Sequence, residues 1–158
     1  MIKMTNKRYI SQHQMQTGVL DIVTQMYHDE WRPDYIVGVT RGGLIPAVMM
    51  SHYTGIKMHT LDVRLRDGDN QEHNAWMADD AQCGTNILVL DDINDTGETF
   101  AWIEKDWGLN DIKDDIANVR FAAIIDNIPS KFDIDYTSIE INKAEDPAWI
   151  VFPFEEWW

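Results

Sequence analysis

Three short, nearly unbroken apolar runs constrain this chain more than any other feature: residues 35–39 (YIVGV), 87–90 (ILVL) and 119–125 (VRFAAII). Strict alternation would mark strands with one wet face, whereas unbroken runs of this length mark strands covered on both faces. Between them lie segments of helical spacing. Val19, Ile22, Val23, Met26 and Tyr27 recur at helical intervals, so residues 11–30 read as an amphipathic helix closed by Pro33 and Asp34. Residues 44–53 read as a buried helix with Pro46 tolerated in its first turn, and Phe100, Ile103 and Trp107 mark another over 96–107. Residues 57–65 alternate well enough for a further strand. Strand–helix alternation of this kind predicts an α/β fold: a doubly wound, mainly parallel five-stranded sheet with helices on both faces.

A chain of 158 residues suits one domain with a substantial core. The core is expected over residues 1–128, and the segment 129–158, with its alternating 132–141 stretch and aromatic end, as a small C-terminal hood. Residues 66–84 are polar and aperiodic, and a loop that long in a compact domain is either disordered or functional. The apolar runs are too short to span a bilayer, and residues 1–7 are polar with no apolar stretch behind them, so neither membrane nor secretion is expected. Cys83 is the only cysteine, which excludes an internal disulfide and fits a cytoplasmic setting. A net charge of −14 repels nucleic acid over most of the surface. Any site for a polyanion must therefore be built locally from backbone amides, a few basic side chains and metal.

The stretch 87–100, ILVLDDINDTGETF, supplies such a site. An apolar strand runs into Asp91 and Asp92, then a short loop, then Asp95, Thr96, Gly97, Glu98 and Thr99 as a helix begins. At the carboxyl end of a parallel strand this is where α/β folds bind ligands. Gly97 lets the backbone approach closely, Thr96 and Thr99 offer hydroxyls, and the helix start offers free N–H groups, which together make a phosphate cradle. Asp91 and Asp92 can accept from sugar hydroxyls and hold a hard divalent cation. The plainer reading is an acidic loop capping a helix, with Asp95 as the cap.

The whole string resembles the 5-phosphoribosyl 1-pyrophosphate signature of type I phosphoribosyltransferases: four apolar residues, two acids, two spacers, then Asp-Thr-Gly-x-Thr. A second stretch, 37–48 (VGVTRGGLIPAV), resembles the pyrophosphate loop of the hypoxanthine/guanine/xanthine branch. There Arg41 offers a forked donor to pyrophosphate, and Gly42 and Gly43 allow a strained backbone that presents N–H groups. A third, WIVFPFE from Trp149, resembles the hood of bacterial xanthine–guanine enzymes, with Trp149 stacking on the base and backbone groups around Ile150 reading its edge. The terminal pair Trp157 and Trp158 reads only as an apolar end.

The resemblance implies a purine-salvage transferase that uses Mg²⁺ held by Asp91 and Asp92, with 5-phosphoribosyl 1-pyrophosphate and a nucleobase as partners. It further implies Asp95 as general base near the purine N7, a flexible catalytic loop over 66–84 containing Asp67, Asn70, Gln71 and Glu72, and a homo-oligomer, dimer or tetramer. His73 there reads as a loop residue. One departure stands out. Relatives acting on 6-oxopurines carry a Lys just past the strand at 119–125, where this chain has Asp126 and Asn127. Asn127 is the candidate base contact, through a neutral amide together with backbone N–H groups of the hood; the alternative is that Asp126 accepts from an amino group and the substrate differs. Two other readings stay open: a regulatory or ligand-sensing protein with the same fold, and an Asp-based Mg²⁺ phosphatase, which would need Asp-x-Asp where this chain has Asp91-Asp92.

Overall fold

The computed structural model describes residues 6–63, 75–111 and 118–158. Five strands form one wholly parallel sheet in the order β3-β2-β4-β5-β6: β2 is Tyr35–Val39, β3 Met58–Leu61, β4 Ile87–Asn94, β5 Val119–Asn127 and β6 Tyr136–Ile141. A separate two-stranded parallel ribbon pairs β1 (Lys7–Tyr9) with β7 (Trp149–Val151).

The pleat sends alternate residues of each central strand to opposite faces. Ile36, Leu88, Leu90, Ala122 and Ile124 face α1 (Gln12–His28) and α2 (Leu44–Thr54). Val37, Val39, Ile87, Val89, Phe121 and Ala123 face α3 (Ala75–Gln82) and α4 (Glu98–Asp106). This is why the runs are unbroken: both sets of side chains are buried.

Helix α1 begins in a reciprocal cap. Ser11 Oγ accepts from Gln14 N–H at 3.0 Å, and Gln14 Oε1 accepts from Ser11 N–H at 2.9 Å. Met15, Val19, Ile22 and Met26 then form its buried stripe. Among the described residues no helix is long and apolar enough to cross a membrane.

Three expectations change. Residues 75–82 of the expected 66–84 loop are helix α3, anchored by buried Met77 and Ala81; Asp67, Asn70, Gln71, Glu72 and His73 lie outside the described residues. Strand β4 continues past Asp91 and Asp92 to Asn94, so the start of the short loop expected after the acidic pair is strand. The expected hood segment 129–158 is divided, because β6 pairs in parallel with β5 as the edge of the main sheet. Only β7 leaves it.

The winding fixes where a ligand can sit. From β2 the chain passes through α2 on one face to β3, and from β4 through α4 on the other face to β5. Neighbouring strands β2 and β4 thus send their connections in opposite directions and open a crevice at their carboxyl ends.

Candidate active site

Strand β4 delivers the acidic pair to this crevice. Asp91 Oδ1 accepts from Asp92 N–H at 2.8 Å, and Asp92 Oδ1 accepts from Ile93 N–H at 2.7 Å. Burial pushes the Asp91 carboxyl well above the usual carboxylate range, and the adjacent Asp92 charge pushes it further. Burial raises Asp92 too, with Glu155 of the C-terminal segment adding repulsion. Two crowded carboxylates of this kind favour a nearby cation.

Beyond Asn94 the chain turns through Asp95, Thr96 and Gly97 into α4. Gly97 is the N-cap, with φ of 88°, and has no side chain of its own to cap the helix. Asp95 is therefore not the cap. Thr96 Oγ1 accepts from Glu98 N–H at 3.3 Å. Asp91, Asp92, Asp95, Thr96, Gly97, Glu98 and Thr99 all line one cavity of about 200 Å³ at the helix start. Free N–H groups and the helix dipole suit an anion there.

The turn after β2 closes on the same place. Its Thr40–Arg41 peptide is cis. Thr40 Oγ1 donates to Asp62 Oδ1 at 3.0 Å, and Gly43 N–H donates to Val39 O at 2.8 Å. A Cβ on Gly42 would lie 2.0 Å from Asp92 Oδ2, and one on Gly43 2.5 Å from Leu90 O. Gly43 has φ of −72°, and neither glycine is among those with positive φ. What requires a glycine at both positions is therefore close approach to β4. Arg41 is exposed beside them and makes no ion pair among the described residues.

The ribbon β1–β7 supplies an aromatic plate. Trp149 is 55% exposed although it lies in a strand. Ile150 buries its side chain in the core. Trp149 N–H donates to Asn6 O and Val151 O accepts from Ile10 N–H, so the alternation of a parallel ladder turns the Ile150 N–H and C=O away from β1. Trp157 and Trp158 are exposed and touch each other.

At the end of β5 the two departures have definite places. Asp126 Oδ1 accepts from Asn94 Nδ2 at 2.9 Å, a strand-end brace. Asn127 is buried, and both ends of its amide are engaged within the protein. Its Nδ2 donates to Asp95 O at 3.0 Å, and its Oδ1 accepts from Lys143 N–H at 2.9 Å. In place of the expected contact with a base, this arrangement makes Asn127 a positioning residue.

It also reveals a residue the sequence reading missed. Lys143 Nζ donates to Asp95 Oδ2 at 2.9 Å and lies 5.9 Å from the Trp149 ring centroid. A usable signal was present, since Lys143 is the only basic residue after Lys131 and stands six positions before Trp149.

A doubly wound sheet with an acidic pair, a glycine turn and a cavity at a helix start, all at its switch point, defines an α/β domain of the crevice-binding kind. Residues 6–157 match the profile of the phosphoribosyl transferase domain, and the chain belongs to that family. It is 31% identical over 98 residues to a xanthine-guanine phosphoribosyltransferase of Vibrio vulnificus, covering 61% of this chain and 62% of that protein. It is 28% identical over 110 residues to a methionyl-tRNA formyltransferase of Wolinella succinogenes, covering 65% of this chain and 36% of that protein. The chain thus spans less than two thirds of the length of these curated relatives. In fold it is similar to the purine phosphoribosyltransferase of Pyrococcus horikoshii, with a TM-score of 0.69 at 23% identity over 96% of this chain and 95% of that one.

Proposed function

We propose that this chain transfers the phosphoribosyl group of 5-phosphoribosyl 1-pyrophosphate to a ring nitrogen of a purine, preferentially a 6-oxopurine, and releases pyrophosphate. The observation that carries the reading is the seating of Gly42 directly against Asp92, which joins the glycine turn to the acidic pair and phosphate cavity in one site. Residues 95–99 take the 5′-phosphate, Asp91 and Asp92 the ribose hydroxyls, and Arg41 with Gly42 and Gly43 the pyrophosphate. Anchoring at both ends of the donor orients C1 for attack from the base side.

Mg²⁺ fits the acidic pair. Asp91 and Asp92 are crowded, destabilised as anions by burial, and unaccompanied by a third ligating side chain among the described residues. That set suits an ion that keeps water and shares substrate oxygens, not one caged by protein. Asp91 and Asp92 would hold it, and its chemistry would be neutralisation of the pyrophosphate charge.

Pyrophosphate release assayed with hypoxanthine, guanine, xanthine and adenine tests the reading. Release is expected with at least one oxo base and is expected to stop in excess chelator. Full activity in chelator sinks the metal role. Donor binding without turnover of any base returns the chain to the regulatory reading.

Trp149 provides a second check. Its ring is more than half exposed, so Trp149→Ala is expected to leave the melting temperature nearly unchanged. Loss of a stacking partner should raise the base KM about two- to tenfold, the equivalent of about 0.5–1.5 kcal/mol. A large fall in melting temperature with unchanged KM would make Trp149 a packing residue.

A further inference from the structure

The Lys143–Asp95 pair is built on a fixed backbone. The Lys143 side chain is only 22% exposed, and the backbones of both residues are fixed through one buried amide. Asn127 receives the Lys143 N–H on Oδ1 and donates Nδ2 to the Asp95 carbonyl. Ammonium and carboxylate are thereby held side by side, with the exposed Trp149 ring next to the ammonium.

The chemistry of the pair specifies what it can read. An ammonium has three donors and no acceptor, and one donor is occupied by Asp95. The Asp95 carboxylate can only accept. A flat ligand on Trp149 therefore meets one donor and one acceptor about a hydrogen-bond length apart. The N7/O6 edge of a free 6-oxopurine is the complement: a ring N–H at N7 beside an exocyclic oxygen. A 6-aminopurine presents a donor at that second position, facing an ammonium that cannot accept.

We propose that Lys143 is the specificity-determining donor to the 6-oxygen of a purine stacked on Trp149, with Asp95 beside it facing N7. The assignment rests on the purine reading above. It places base discrimination on the segment between β6 and β7, not at the end of β5.

The test compares hypoxanthine as substrate with unsubstituted purine, which lacks only the 6-oxygen, as competitive inhibitor, in wild type and Lys143→Met. Both constants are independent of how much of the variant folds. The hypoxanthine KM is expected to rise roughly ten- to a hundredfold, the loss of one charged hydrogen bond. The purine inhibition constant is expected to move less than about threefold, well below that loss. Equal shifts in both, or a shift in neither, would overturn the Lys143 assignment alone. Failure of the wild type to turn over any oxopurine while still binding donor would overturn the purine reading, and this assignment with it.

Discussion

Asp95→Asn is expected to lower kcat about 10²–10⁴-fold, the range for loss of a general acid–base group, while the donor KM stays within about threefold. Three contacts fix the Asp95 side chain and backbone. Asn127 Nδ2 donates to its carbonyl at 3.0 Å and approaches Oδ1 at 3.4 Å, and Lys143 Nζ donates to Oδ2 at 2.9 Å. Asn has the same shape and keeps an acceptor, so the loop geometry should survive. What it lacks is a site for the proton that a purine nitrogen must release as the glycosidic bond forms. The lost ion pair has little weight in stability, because Asp95 is 42% exposed and such pairs contribute about 0–1 kcal/mol. The expected signature is thus a kcat defect in a protein of nearly unchanged melting temperature. Steady-state kinetics with saturating donor checks it, and a kcat change below about threefold, far short of an acid–base loss, would leave Asp95 only a structural part. Helix capping is not that part, since Gly97 occupies the cap.

The central strands were legible because their environment is two-sided. β2, β4 and β5 are covered by helices on both faces, so each shows as an apolar run needing no knowledge of its neighbours. Helix α1 was equally plain, with its buried residues on one stripe and its own capping box. Helix α3 was hidden because it is eight residues long and buries only Met77 and Ala81, too few turns for a period to emerge from a polar segment. Strand β1 has three exposed residues and no pattern at all; it is a strand only because β7 offers it a partner.

Strand β6 illustrates a different limit. Its alternation correctly marked a strand, but membership of the main sheet depends on parallel pairing with β5 across a connection that holds no helix. That is tertiary information. The site divides in the same way. The acidic pair, the phosphate loop and the glycine turn are each contiguous in sequence and could be read locally. The contacts of Asn127 could not, since its bond to Lys143 spans 16 positions and its bond to Asp95 spans 32. Residue 127 was read as a site of base recognition, whereas its amide is engaged within the protein by Asp95 and Lys143.

Gly97→Ala is expected to produce the largest structural effect, a destabilisation of about 2–5 kcal/mol from left-handed strain and overpacking together. In a domain of this size that is a fall in melting temperature of roughly 5–15 °C. Two independent causes act at this position. Its φ of 88° is left-handed, which disfavours any L side chain. A Cβ there would also lie 2.6 Å from Ser130 Oγ and 2.7 Å from Phe132 N. Those atoms cannot retreat easily. Lys131 N–H donates to Thr96 O at 3.1 Å, and Phe132 packs against Phe100 and Phe121 in the core. The loop must move instead, which deforms the phosphate cavity and should raise the donor KM at least about tenfold, as a modest misplacement of an anchoring group does. Gly55→Ala separates the two causes, because Gly55 has φ of 74° but nothing within 4 Å of where its new methyl group would lie. It should cost only the conformational part, about 1–2 kcal/mol, with the donor KM unchanged. If Gly97→Ala proves no more destabilising than Gly55→Ala, segment 130–132 is not the rigid wall that shapes the phosphate loop.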